Sequence, residues 1–174
     1  MTAVDSGNAL YRAKVVMLGA PAVGKTSLVR RFVHSVFSEE HHSTLGVKVD
    51  RKTVSVAGGV VTMLLWDIHG ETEGLGVPDS YLRGTTAAII AFDASRPETI
   101  ETAASLSQRI AEGSPQAVRL GVANKSDLEI NWAEVDEATP ALGVSDVVRT
   151  SAKSGKGVES LFGQIATEVA AAAS

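Results

Sequence analysis

Six consecutive residues, Ala87-Ala88-Ile89-Ile90-Ala91-Phe92, are all apolar. A strand of this composition has no side to offer to water, so it belongs in a sheet covered on both faces. Such sheets are parallel, with helices on each face, because parallel neighbours need crossover connections. The rest of the chain supplies the parts. Val15 to Leu18 and Leu120 to Ala123 are further short apolar runs, and Val147-Val148 is a last one. Between them lie segments of helical spacing: Leu28, Val29, Phe32, Val33 and Val36; Pro97 to Ala111, opening on Pro-Glu; and Val158, Leu161, Phe162, Ile165 and Val169. Val47 to Val56 is β-branched and partly alternating. Ala57-Gly58-Gly59 then signals a hairpin, with Val60 to Trp66 as its return strand. The expected fold class is α/β, with a six-stranded, mostly parallel sheet that takes one antiparallel strand from the hairpin.

Length suits one domain: 174 residues bury a sizeable core. Residues 1–10 are small and polar and are expected to form a flexible tail ahead of a domain over 11–174. The balance of 16 Lys and Arg against 20 Asp and Glu leaves a net charge of -4, without the basic excess of a general nucleic-acid binder. There is no cysteine. Disulfides, thiolate metal sites, a cysteine nucleophile and prenyl or palmitoyl anchoring are therefore excluded for this sequence. Its first residues, MTAVDSGNALYR, are too polar for a signal peptide, and no apolar run nears the ~20 residues of a membrane span. The expected location is the cytoplasm.

Chemistry enters at Gly19-Ala20-Pro21-Ala22-Val23-Gly24-Lys25-Thr26, which fits G-x-x-x-x-G-K-[ST] and stands between a strand and a helix. Glycines let the backbone approach phosphate oxygens without a Cβ in the way. The backbone of Pro21, Ala22, Val23 and on to Ser27, with an N–H at each but Pro21, and the helix amino end then face an anion. Lys25 places a point charge between β- and γ-phosphates, and Thr26 offers its hydroxyl to Mg²⁺. The motif implies a nucleoside triphosphate without saying which.

Asn124-Lys125-Ser126-Asp127 follows the strand ending at Ala123. An aspartate here accepts two hydrogen bonds from guanine, at its ring N–H and exocyclic amine. Adenine lacks that donor pair and leaves the carboxylate unpaired. Ligands in such sheets sit at strand carboxyl ends, where both motifs lie. Thr150-Ser151-Ala152-Lys153 also follows a strand, and its expected contribution is backbone amides to the base carbonyl.

With these three motifs in order, the chain resembles the Ras-like small GTPases, closest to the Rab group, over about residues 11–170. The resemblance implies a Ras-like fold with five helices and a guanine-nucleotide switch that binds GTP or GDP with Mg²⁺. It implies hydrolysis of GTP by attack of water on the γ-phosphate, with Lys25 and the loop amides stabilising the transferring group. Phe37 falls where the family places an aromatic ring on the guanine. Thr44 falls at the switch threonine that senses Mg²⁺ and the γ-phosphate. Trp66-Asp67-Ile68-His69-Gly70 resembles W-D-x-x-G, with Asp67 holding Mg²⁺ through water and the Gly70 amide on the γ-phosphate. Ser80-Tyr81-Leu82-Arg83-Gly84 resembles the close of the second switch. Effector and regulatory proteins are expected at the switches, around 38–48 and 68–84.

The sequence departs from the family pattern at several points. Glu71 stands where the family has a glutamine that orients the attacking water. An ionised carboxylate accepts from that water but cannot donate to the phosphoryl group. At about 5 Å and an effective dielectric of about 20, its repulsion is about 3 kcal/mol, about two decades in rate. The alternatives are a Glu71 that points away, donates as the acid or acts as a general base. Pro21 replaces a glycine, removes one N–H and crowds any incoming arginine finger. His69 replaces a small residue. His41 and His42 lie in the first switch, and Glu71-Thr72-Glu73 makes the second acidic. The final Ala170-Ala171-Ala172-Ala173-Ser174 carries neither a cysteine nor a basic cluster, so no direct lipid anchor is expected. Two other readings stay open: a GTP-binding module with negligible hydrolysis, and a phosphate-loop ATPase or kinase, against which Asn124–Asp127 argues.

Overall fold

The computed structural model describes residues 8–35, 46–69 and 74–174. Eleven elements follow in order: β1 (Ala9–Leu18), α1 (Lys25–His34), β2 (Gly46–Val56), β3 (Gly59–His69), α2 (Asp79–Leu82), β4 (Ala87–Asp93), α3 (Thr99–Gly113), β5 (Val118–Asn124), α4 (Trp132–Ala138), β6 (Val147–Arg149) and α5 (Val158–Ala172). Short 3₁₀ turns stand at Gly74–Gly76 and Thr139–Leu142. One sheet holds all six strands in the order β2-β3-β1-β4-β5-β6, and only β2 runs antiparallel, against β3. The mostly parallel, six-stranded α/β architecture with five helices is therefore present among the described residues.

Every residue of β4 is buried, as its unbroken apolar sequence requires. Alternate side chains of β1 serve the two faces. Ala13, Val15 and Met17 join Leu28 and Phe32 of α1 and Leu161, Phe162 and Ile165 of α5. Val16 and Leu18 join Ile100, Leu106 and Ile110 of α3. The rings of Phe32 and Phe162 stack, 3.9 Å between centroids and 5° from parallel, fastening α1 to α5.

Two boundaries differ from the apolar pattern. β1 starts at Ala9, inside the stretch expected to be a tail, because its backbone pairs with β3 from Ala9 opposite Gly59 onward. Helix α1 stops at His34, where Ser35 turns left-handed (φ 55°) and its N–H closes on the Arg31 carbonyl. Val36, last in the helical series, lies outside the described residues.

β1 occupies the centre, between β3 and β4, so connections from the two halves of the sheet diverge at its carboxyl end. That divergence leaves a crevice outside the strand ends. The carboxyl ends of β1, β3, β4, β5 and β6 deliver Gly19, Asp67, Asp93, Asn124 and Thr150 toward it. At the other end of the sheet, Leu10, Tyr11 and Arg12 line a cavity of about 530 Å³ together with Val169, Ala172 and Ala173.

Candidate functional site

The loop from β1 to α1 is shaped by what it must pass. A Cβ on Gly19 would lie 2.3 Å from the Ala91 carbonyl oxygen, and one on Gly24 would lie 2.2 Å from Asn124 Nδ2. Neither position has room for a side chain, and Gly24 also takes a left-handed φ of 104°. Ala22 is left-handed too (φ 63°), which costs an L-residue about 1–2 kcal/mol. Lys25 opens α1 and folds back over the loop: its Nζ donates to the Gly19 and Ala20 carbonyls, both at 2.9 Å. The buried ammonium is thereby poised where the loop would enclose an anion.

Thr26 Oγ1 donates to Asp67 Oδ2 at 2.7 Å, while Asp67 Oδ1 is buried with no hydrogen-bond partner among the described residues. Burial pushes the Asp67 carboxyl above its ordinary value, against the Thr26 hydrogen bond and the charges of His69 and Lys25. His69 Nδ1 lies 3.9 Å from Asp67 Oδ2. An orphaned carboxylate oxygen beside a hydroxyl is an all-oxygen donor set, which suits a hard cation such as Mg²⁺. No group of three or more His, Cys, Asp or Glu able to hold a metal occurs among the described residues. A cation here would draw its remaining ligands from outside the described residues, phosphate and water among them, as Mg²⁺ does at triphosphate sites.

Three loops are bound into one body by Asn124, which is 2% exposed. Its Nδ2 donates to the Val23 carbonyl at 3.0 Å. Its Oδ1 accepts from Thr150 Oγ1 at 3.0 Å and from the Ala152 N–H at 3.3 Å. Lys125, left-handed at φ 65°, sends its Nζ to the Ala22 carbonyl at 2.8 Å and to Asp93 Oδ2 at 2.9 Å. Asp127 is exposed, and its Oδ1 accepts from Ser151 Oγ at 2.7 Å. Ser151 Oγ accepts in turn from the Ser154 N–H. From α1, Arg31 donates to the carbonyls of Ala152 and Lys153, tying the last loop to the helix that the first loop opens.

The family model described as Ras family matches residues 14–171. The chain belongs to the Ras family. It is similar to the Ras-related protein Rab-19 of Rattus norvegicus, with 31% identity over 169 residues, covering 94% of this chain and 78% of that protein. It is thus a Ras-like small GTPase close to the Rab group, a family whose members bind GTP and GDP, typically with Mg²⁺.

In this small GTPase, Gly19, Val23, Gly24, Lys25, Thr26, Asp67, Asn124, Lys125, Asp127, Ser151 and Ala152 converge on one edge of the sheet. Ser27 follows Thr26 in the first turn of α1. Pro21 and Ala22 are exposed, and Lys153 is exposed with its carbonyl taken by Arg31. Gly74 reaches the same edge: a Cβ built on it would lie 3.5 Å from Pro21 Cδ. Phe37, His41, His42, Thr44, Gly70, Glu71, Thr72 and Glu73 lie outside the described residues. Asp93 and Arg31 escaped the sequence reading, because each acts on loops far along the chain and belongs to no motif. A groove of about 860 Å³ between α3 and the Thr139–Leu142 turn holds none of these groups. Loop chemistry, rather than concavity, marks the site.

Proposed function

We propose that this small GTPase is a guanine-nucleotide switch that binds GTP and GDP with Mg²⁺ and hydrolyses GTP slowly. The observation that carries the reading is the direct bonding of the base-reading loops to the phosphate loop: Asn124 to Val23 and Lys125 to Ala22. A ligand that spans both loops needs a base at one end and phosphates at the other, a fixed distance apart.

Each residue then has a task. Backbone N–H groups from Ala22 to Ser27, with Gly19 and Gly24 clearing the way and Pro21 contributing no donor, receive the phosphate oxygens. Lys25 turns its ammonium from the Gly19 and Ala20 carbonyls toward the β- and γ-phosphates. Thr26 and Asp67 would hold Mg²⁺ with Thr44. When bound, the cation neutralises charge on the β- and γ-oxygens. Asp127 accepts the ring N–H and amine of guanine while Ser151 orients its carboxylate, and the Ala152 and Lys153 amides face the base carbonyl. Phe37 covers the guanine. Thr44 and the Gly70 amide read the γ-phosphate, so its loss releases both switches to effector and regulatory partners around 38–48 and 68–84. The cytoplasm is the compartment we assign.

Slow hydrolysis rests on Glu71, with Pro21 crowding the loop from outside. Single-turnover conversion of bound GTP, without a partner protein, tests the reading. Conversion above the rate of free GTP supports a self-timed switch. Tight loading without conversion replaces it by a GTP-held binding module. Displacement of GTP by excess ATP would overturn the guanine assignment and favour a phosphate-loop ATPase or kinase.

A further inference from the structure

We propose that Asp93 is a positioning residue that holds Lys125 in place for the bound nucleotide, and so sets how long that nucleotide stays. The proposal rests on the guanine-nucleotide reading above. Asp93 ends β4 and is 1% exposed. Its Oδ1 accepts from the Ser95 N–H at 2.9 Å and Ser95 Oγ at 2.6 Å. Its Oδ2 accepts from Arg96 Nε at 3.0 Å and Lys125 Nζ at 2.9 Å. The carboxylate is thus saturated by the protein.

Lys125 is different. An ammonium has three N–H donors. One goes to the Ala22 carbonyl in the phosphate loop and one to Asp93. The third has no partner among the described residues, and the side chain remains one-third exposed. The left-handed backbone at Lys125 aims the side chain across the loop at a conformational cost borne at this position. With Asp93 in place, the four-carbon stem is fixed at its tip by two acceptors on two different elements. Without the carboxylate, one carbonyl remains, and a flexible lysine stem loses its direction. The third donor then no longer meets the ligand in a prepared geometry.

Arg96 supplies the internal control, because it shares Asp93 Oδ2 but, among the described residues, makes no hydrogen bond to the phosphate or base-reading loops. The experiment follows release of a fluorescent GDP from the full chain in Mg²⁺, for wild type, Asp93→Asn, Lys125→Met, the double variant and Arg96→Met. Removing one charge-assisted hydrogen bond from the bound state predicts release about ten-fold faster in Asp93→Asn. Arg96→Met is expected to stay within about two-fold of wild type, and Asp93→Asn to add less than about two-fold to Lys125→Met, as for residues acting as one unit. Equal acceleration by Arg96→Met, or full additivity with Lys125→Met, makes Asp93 a general anchor of its turn and overturns the proposal. Unchanged release from Asp93→Asn overturns it as well. Should Asp93→Asn fail to fold, Asp93→Ser keeps a hydroxyl for the Ser95 turn and is read in the same way. A wild type that retains no GDP defeats the underlying guanine reading, whereas a wild type that retains it and variants that behave alike defeat only this inference.

Discussion

Replacing Asn124 by alanine tests whether the three loops are one construction. The truncation strands three groups: the Val23 carbonyl, the Thr150 hydroxyl and the Ala152 N–H. Val23 and Thr150 are 0% exposed and Ala152 3%, so bulk water does not replace the lost partner. Each stranded buried group costs about 1–3 kcal/mol, for a gross loss of about 3–9 kcal/mol. A single water drawn into the vacated space recovers part of that, leaving about 3–4 kcal/mol. That is a large share of the ~5–15 kcal/mol by which domains are stable, and at about 2–4 °C per kcal/mol it lowers the melting midpoint by about 10 °C. The assay is urea unfolding and calorimetry without nucleotide, with Thr150→Val beside it. That variant deletes one of the three bonds and is expected to cost about 1 kcal/mol. Adding GDP should widen the gap between wild type and Asn124→Ala, because ligand linkage stabilises only the form that binds. A loss below about 1 kcal/mol for Asn124→Ala in the absence of ligand would refute the reasoning, since it would mean that the loops hold their places without this amide.

Three further outcomes are expected. Glu71→Gln should raise the single-turnover rate by up to about two decades, the repulsion it removes; no gain shows that Glu71 is not the brake. Burial alone would raise the Asp93 carboxyl, but hydrogen bonds from Ser95, Lys125 and Arg96 outweigh it and hold it below its ordinary value of 3.8. A carboxyl so held contributes stability above its unfolded value and loses it as pH falls, so the stability gap between wild type and Asp93→Asn should be level at neutral pH and shrink below about pH 4. Denaturant titrations at stepped pH check this, and a gap that persists undiminished far into acid contradicts it. Phe162→Ala removes the ring stacked on Phe32 and should cost about 3–5 kcal/mol in urea unfolding, with a smaller loss pointing to collapse of α5 onto the sheet.

Fold and site were legible to different degrees, for physical reasons. β4 was readable because burial on both faces writes itself as unbroken apolar sequence. The start of β1 was not: Leu10 is 81% exposed and Arg12 faces solvent, and only backbone pairing with β3 makes the segment a strand. Short elements such as α2, four residues long, leave too few turns for a periodic signal. Gly24, Lys25 and Asn124 stood out because their spacing is dictated by the ligand. The Asn124 contact with Val23 crosses 101 positions and the Arg31 contact with Ala152 crosses 121, and such reach has no local signature. Asp93 stands just past the apolar run and belongs to no motif, so its role follows only from the neighbour that folding brings to it.

The start of β1 and the end of α5 border one cavity, at the end of the sheet opposite the phosphate loop. This arrangement suits the molecule to being held. A bead, a sensor surface or a fused protein attached on that side faces away from the nucleotide loops, so immobilisation should leave ligand exchange undisturbed.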